Sequence, residues 1–287
     1  MTTLCSIDLP SGAVLEFSGA ALVMAVINCT ADSFYPESRA PDVREAVERA
    51  LRAEDDGAAV IDIGAESSRP GARYIDEDEE KRRLLPVIEQ FRKRSKCAVS
   101  IDTRKYEVAR LALEAGADII NDISALEDSP EIAALCARHN AGLILMHKKG
   151  IPCDMQDRPY YDDVVAEVSA YLKAAALRAE AAGVSAHRII LDPGIGFGKR
   201  TEDNLDLIAH FEEISAMGYP ALMALSRKSF LGALTGREVD QRLAGTIAAN
   251  AFSLEKGACF IRVHDVREAV DLVKLHAALR SRLKNAA

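Results

Sequence analysis

The chain has no excess of basic residues. Lys and Arg number 36 against 44 Asp and Glu in 287 residues, a net charge of −8. That balance argues against a non-specific grip on nucleic acid or an anionic membrane, so any anionic ligand must find its positive contacts gathered locally. There is no long apolar run either. The longest uncharged stretch, residues 17–31, contains Asn28 and falls short of the roughly 18 residues that a membrane span needs. The opening residues lack the basic start and apolar stretch of a signal peptide. The six cysteines (Cys5, Cys29, Cys97, Cys136, Cys153, Cys259) are scattered with no C-x-x-C pair, which excludes the usual patterns of a disulfide framework or a structural zinc site. No low-complexity or Pro/Ser-rich linker divides the sequence. What remains, 49% hydrophobic and 28% charged, is the composition of an ordinary globular protein with enough apolar material for a sizeable core, expected in the cytoplasm.

What is present is a repeating pattern. Short apolar, β-branched runs at 21–28, 58–64, 97–102, 118–121, 142–146, 188–192, 221–226 and 259–263 alternate with helix-period stretches such as 42–56, 76–94, 105–115, 161–182, 204–217 and 241–255. Gly57, Gly116, Gly183 and Gly257 close four of these helices, where a left-handed cap is needed. Eight strand–helix units in a chain of this length predict an α/β fold, a (β/α)₈ TIM barrel, with a doubly wound open sheet as the structural rival. Ahead of the barrel, Leu4–Leu9 and Ala13–Phe17 flank Pro10-Ser11-Gly12 and read as a β-hairpin covering the barrel bottom. The expectation is one domain over 1–287, with the hairpin in 1–18 and the barrel in 19–287.

Polar residues crowd the C-terminal ends of the strands, where barrel enzymes build their sites. They are Asn28, Asp62 with Glu66, Asp102, Asn121 with Asp122, His147, Asp192, Ser226-Arg227-Lys228, and Arg262 with His264 and Asp265. A lone Asp after a strand is commonly an N-cap, and His147 reads equally as a hydrogen-bonded rim residue. All eight strands carrying such groups at one end is a different matter, because buried charge needs partners. Asp102, Asn121 and Asp192 suit a flat heterocycle rich in N–H donors. Asn28, Arg69, Lys228, Arg262 and His264 suit phosphate or carboxylate. The loop Asp192–Lys199, with glycines at 194, 196 and 198, allows close backbone approach to a ligand, although it lacks the G-K-[ST] ending of a phosphate loop. The loop 64–72 is long for a connection and reads as a lid. The acidic start of the next helix, Asp76–Glu80, reads as a solvated first turn favoured by the helix dipole. Cys29 and Cys153 have no neighbouring His or Lys to activate them and read as small apolar residues. A Schiff base on Lys228 is disfavoured by its neighbour Arg227.

Eight ordered segments together resemble the dihydropteroate synthase family over nearly the whole chain. They are Asn28-Cys29-Thr30-Ala31-Asp32-Ser33-Phe34, Asp62 through Gly71, Asp102-Thr103, Ile120 through Ile123, Met146-His147, Asp192 through Lys199, Ser226 through Ser229, and Arg262 through Val266. The resemblance implies condensation of 6-hydroxymethyl-7,8-dihydropterin pyrophosphate with 4-aminobenzoate, giving 7,8-dihydropteroate and pyrophosphate. It places the pterin on Asp102, Asn121, Asp192 and Lys228, and the aminobenzoate on Phe34, Ser68, Arg69, Pro70, Phe197 and Ser226. It places the pyrophosphate on Asn28, Arg262 and His264, with Mg²⁺ held by Asn28, assisted by Asp32. The catalytic set it implies is Asp32, Lys228, Arg262 and His264, with Asp32 facing a methylene cation formed when pyrophosphate leaves first.

The sequence departs from the family pattern at Cys29, at Ala31, where the missing proline would have fixed the backbone, and at Ser68 in place of threonine. Lys148 and Lys149 make the fifth segment more basic. These changes bear on substrate affinity and on the response to sulfonamide competitors. The alternatives are a methyltetrahydrofolate methyltransferase of the corrinoid type, which has no pyrophosphate to hold, a non-catalytic pterin-binding paralogue, and a Lys228 aldolase. The family also implies a homodimer, and a chain of this length is expected to be a stand-alone synthase.

Overall fold

The computed structural model describes residues 6–17, 19–29, 39–66, 74–151 and 155–284. Strands β1 (Ser6–Asp8) and β2 (Val14–Glu16) form the expected antiparallel hairpin, in register Ile7 opposite Leu15. Gly12 turns the chain with φ +85°, and its N–H donates to Leu9 O at 2.9 Å.

The barrel strands follow: β3 (Leu22–Asn28), β4 (Val60–Gly64), β5 (Ala98–Asp102), β6 (Ile119–Asp122), β7 (Gly142–Met146), β8 (Ile189–Asp192), β9 (Leu222–Met223) and β10 (Phe260–Val263). All pair in parallel, in the order β8-β7-β6-β5-β4-β3-β10-β9. A bridge between Leu191 and Ala221, with Leu191 N donating to Pro220 O at 2.9 Å, brings the two ends together. That contact rules out the open-sheet rival. The outer helices are α1 (Arg39–Asp55), α2 (Glu77–Arg92), α3 (Tyr106–Glu114), α4 (Glu131–His139), α5 (Val164–Ala181), α6 (Thr201–Ala209), α7 (Glu212–Ser215), α8 (Ser229–Thr235), α9 (Leu243–Glu255) and α10 (Val266–Lys284). The stretch 204–217, read as one helix, falls into the later part of α6 and α7, broken at His210, whose backbone leaves helical geometry at φ −112°, ψ 27°. Gly57, Gly116, Gly183 and Gly257 all have φ between +94° and +107°, as the helix-cap reading requires. Among the described residues no helix is long and apolar enough to cross a membrane.

Side chains alternate across a strand, and this parity positions the site. One apolar cluster gathers Met24, Val60, Ala98, Ile119, Ile144, Ile190, Leu222 and Phe260 from all eight barrel strands with Ile7, Leu9 and Leu15 of the hairpin. It is the barrel interior, plugged from below. Moving two or four residues toward the C-terminal end along the same strands reaches Asn28, Asp62, Asp102, Asn121, Asp192, Ser226, Arg262 and His264. Every one shares the inward parity.

The hairpin is pinned by a buried carboxylate at the barrel bottom. Asp118 accepts from Ser11 N (2.9 Å), from Val99 N (3.0 Å) and from the guanidinium of Arg92. Asp118→Asn retains the volume and loses the charge-assisted bond, so unfolding should become easier by about 2 kcal/mol. Chemical denaturation reads this directly, and an unchanged midpoint would remove Asp118 from the account of the plug.

Candidate active site

At the C-terminal mouth of the barrel, the guanidinium of Arg262 lies between two carboxylates. Its Nε and Nη2 both stand 2.7 Å from Asp62 Oδ2, and Nη2 is 3.4 Å from Asp102 Oδ2. Asp62 has no solvent exposure, and its Oδ2 also accepts from Asn121 Nδ2 at 3.3 Å. Burial, and then the charge of Asp62, push the Asp102 carboxyl up to about 8 against the pull of Arg262. Gly64 makes room for Asp102: a Cβ at position 64 would sit 3.2 Å from the Asp102 Cβ.

Across the mouth, Asp192 ends β8. Its Oδ1 accepts from Gly194 N at 2.7 Å, and burial raises its pKa, countered by that N–H, Lys228 and Arg262. Lys228 immediately precedes α8, with Nζ 4.2 Å from the centre of the Phe197 ring. Burial lowers its ammonium to about 8, with Asp192 acting in the opposite sense. Ser226 Oγ accepts from His264 N at 3.2 Å and lies 3.0 Å from His264 Nδ1. Although His264 keeps an exposed edge, desolvation of the ring and then the neighbouring Arg262 lower its pKa to about 4. The arrangement therefore offers a neutral imidazole, an ammonium, an amide and carboxylates around one opening.

Nine of the sequence-derived site residues, Asn28, Asp102, Asn121, Asp192, Phe197, Ser226, Lys228, Arg262 and His264, stand at this opening. Asp32, Phe34, Ser68, Arg69 and Pro70 lie outside the described residues, as does Cys153. Arg227 turns away from Lys228: at φ +56° its guanidinium grips Asp265 at 2.7 and 2.9 Å and donates to Val239 O and Asp240 O, so it shapes the loop. Asp62 was placed here by the sequence but without a role. Its inward parity was the available signal for the pairing with Arg262. The Cys29 thiol is buried and pushed up to about 11, consistent with an inert apolar role.

Two expectations are corrected. His147 is hydrogen-bonded, as read, through Lys199, but it is buried (6% exposed) and is not a solvated rim residue. The acidic start of α2 is only partly solvated. Asp76 caps the helix by accepting from Glu79 N at 2.8 Å, while Glu80 is buried (1% exposed) and paired with Lys105. Lys105 also reaches Glu66 (2.9 Å), which accepts from Ile75 N at 3.0 Å. These bonds join the two described ends of the loop that follows β4.

The donor set for Mg²⁺ is sparse. Among the described residues no three His, Cys, Asp or Glu side chains gather to hold a metal, and Asp62 and Asp102 are committed to Arg262. Asn28 offers a single neutral amide oxygen at the end of β3, where Arg49 Nη2 donates to its backbone carbonyl at 2.7 Å. Mg²⁺ usually retains several waters and takes its remaining ligands from substrate phosphates. The residues fit an ion that arrives with a pyrophosphate and do not fit a permanently caged one.

The buried histidine makes stability depend on pH. Burial, and then the charge of Lys199, lower the His147 pKa from 6.5 to about 2. The unfolded chain therefore binds this proton at a higher pH than the folded protein does. The resulting stabilisation is complete above pH 6.5 and declines as the pH falls below that value. The thermal midpoint should drop between pH 6.5 and about 5, and His147→Gln should lessen that drop, leaving the part that His264, lowered to about 4, supplies over the same range. An equally steep decline in the variant would assign it to other groups.

A family model described as "Pterin binding enzyme" matches residues 24–264. The dihydropteroate synthase of Bacillus subtilis is 39% identical over 265 residues, covering 92% of this chain and 90% of that protein. A Haloferax volcanii protein named as a probable bifunctional folylpolyglutamate synthase/dihydropteroate synthase is 43% identical, and the match spans 90% of this chain but 30% of that longer protein. A solved structure of Xanthomonas albilineans dihydropteroate synthase with 4-aminobenzoic acid superposes with a TM-score of 0.88 at 41% identity, covering 96% of this chain and 98% of that one.

Proposed function

Since this chain belongs to the dihydropteroate synthase family, we propose how its own residues carry the reaction of that family. It is a transferase that condenses 6-hydroxymethyl-7,8-dihydropterin pyrophosphate with 4-aminobenzoate to give 7,8-dihydropteroate and pyrophosphate. The observation that supports the residue roles is the convergence of Asp102, Asn121, Asp192, Lys228 and Arg262 on one barrel mouth.

The aminopyrimidinone edge of the pterin donates N–H to Asp102 and Asp192, and Asn121 completes the edge. Lys228 lies between the pterin ring and the amine pocket. Pyrophosphate departs first, its bond to the exocyclic methylene breaking with the electron pair staying on oxygen. Asn28, Arg262 and His264 receive the charge. The methylene cation is delocalised into the dihydropterin ring, and the role of facing it is assigned to Asp32. The aniline nitrogen of 4-aminobenzoate attacks from a pocket assigned to Phe34, Ser68, Arg69, Pro70, Phe197 and Ser226, and gives up its proton to water after the C–N bond forms. The reaction needs little general-base strength. Its rate comes from positioning and from stabilising separated charges. Mg²⁺ bound with the pyrophosphate would neutralise part of the leaving group's charge, with the Asn28 amide oxygen as its protein ligand.

Product formation from the two substrates should therefore vanish in EDTA and return with added Mg²⁺. Asn28→Ala should raise the Mg²⁺ concentration needed for half-maximal rate about tenfold. Full activity in EDTA would remove the metal from this account. Leu275, Leu279 and Leu283, at one-turn spacing on α10, are 59–68% exposed, and Phe252 of α9 is 47% exposed. This apolar surface supports a homodimer of this chain.

A further inference from the structure

The loop after β8 contains a second buried lysine that contacts none of the groups assigned above to substrate through its side chain, apart from the Phe197 backbone. Lys199 is 2% exposed. Its Nζ donates to Gly194 O (2.9 Å) and Phe197 O (3.1 Å), lies 3.4 Å from His147 O, and stands 2.9 Å from His147 Nδ1. Burial lowers the Lys199 ammonium to about 7; while it is charged it has protons to donate and no lone pair. In that state His147 accepts through Nδ1, and the two side chains share one hydrogen bond whichever of them holds the proton. The His147 ring is held edge-on to Tyr171 at 4.8 Å.

The loop is also seated from outside. A Cβ on Gly194 would come within 1.9 Å of His147 O, and one on Gly198 within 2.0 Å of Lys149 O. Gly196 N donates to Asn204 Oδ1 at 2.7 Å, and Tyr161 Oη donates to Gly198 O at 2.8 Å. The backbone thus lies flat on the segment leaving β7, and its inward carbonyls at 194 and 197 converge on one ammonium. Phe197 is consequently held at two points. Lys199 holds its carbonyl from within, and Lys228 lies over its ring at the mouth.

We infer that Lys199, backed by His147, is a positioning residue that sets the height of the Phe197 wall and thereby the fit of the amine substrate. The inference rests on the reading of Phe197 as part of the aminobenzoate pocket. Lys199 bonds no pterin-facing side chain and reaches Asp192 only through Gly194, so its removal should fall mainly on the amine substrate.

The test is steady-state kinetics on Lys199→Met, His147→Leu, His147→Gln and Phe197→Ala, with both substrates varied. A wall displaced by a fraction of an ångström should raise KM for 4-aminobenzoate about tenfold in Lys199→Met, with KM for the pterin pyrophosphate within about twofold of wild type. His147→Leu should shift the same constant in the same direction. His147→Gln, whose side-chain oxygen still accepts from Lys199, should restore it. If Phe197→Ala leaves the 4-aminobenzoate KM unchanged, the pocket reading fails. If Phe197→Ala raises it and Lys199→Met does not, or if both KM values and kcat move together with the melting temperature, the positioning role is overturned. Should Lys199→Met not fold, the contrast between His147→Leu and His147→Gln decides the matter alone.

Discussion

Lys228→Ala is expected to lower turnover by about a hundred- to a thousandfold, the range for removing one preorganised group from a developing charge, while the protein remains folded. The two halves of this expectation have one physical cause. Burial lowers the Lys228 ammonium to about 8, so the folded chain holds this cation against its desolvation cost and removal does not cost global stability. At the mouth it stands between Asp192, which acts to keep it charged, and the ring of Phe197. It occupies the boundary between the pterin edge and the amine pocket. Without it, Arg262 is the cation that still acts on both pterin carboxylates.

The charge also sets a pH limit. Lys228 carries its proton below about 8 and loses it above, so its contribution to kcat/KM for the pterin substrate should decline as the pH rises through that value, opposed by Asp102, which ionises over the same range. The decline that Lys228→Ala abolishes is the lysine's share. Product formation followed from about pH 6 to about 10, in wild type and Lys228→Ala, checks both statements. A variant with near-wild-type turnover would exclude Lys228 from the chemistry.

Arg262→Met should be costly to both stability and activity. Arg262 is the cation bonded to Asp62, which has no exposure, and it also reaches Asp102. Removing it leaves one carboxylate buried without its ion pair and a second beside it. Breaking a buried pair in this way costs about 3–5 kcal/mol. Arg262→Met with Asp62→Asn should recover part of the loss, because the second change removes the stranded charge. Activity should remain low in the double variant, since the donors proposed to receive pyrophosphate are still gone. Thermal unfolding of both single variants and the double variant tests the coupling. Strictly additive effects would mean that the pair does not act as a unit.

These two residues also show what one dimension carries. Lys228 and Arg262 are recognisable because each follows an apolar strand run at the end where barrel sites are built, and the two-residue strand period alone marks Arg262 as inward. The eight repeats and the cap glycines report local geometry: a helix that ends at a left-handed residue needs glycine wherever it lies in the fold. The hairpin is equally local, with its turn at Pro10-Ser11-Gly12 and Ile7 facing Leu15.

The partnerships are not local. Asp62 and Arg262 are 200 positions apart, and Lys199 meets His147 across 52. No periodicity in either segment states that barrel closure will bring them within about 3 Å. The sequence by itself determined the order of strands and helices, the inward parity of Asn28, Asp102, Asn121, Asp192 and Arg262, and the end of the barrel at which they collect, because these follow from backbone geometry and from which residues water excludes. Only the tertiary structure decided which charges neutralise one another, which histidine is dry and which is at the rim, and which lysine faces the mouth and which braces the loop behind it, because desolvation and Coulomb energy depend on distances that exist only after the barrel has closed.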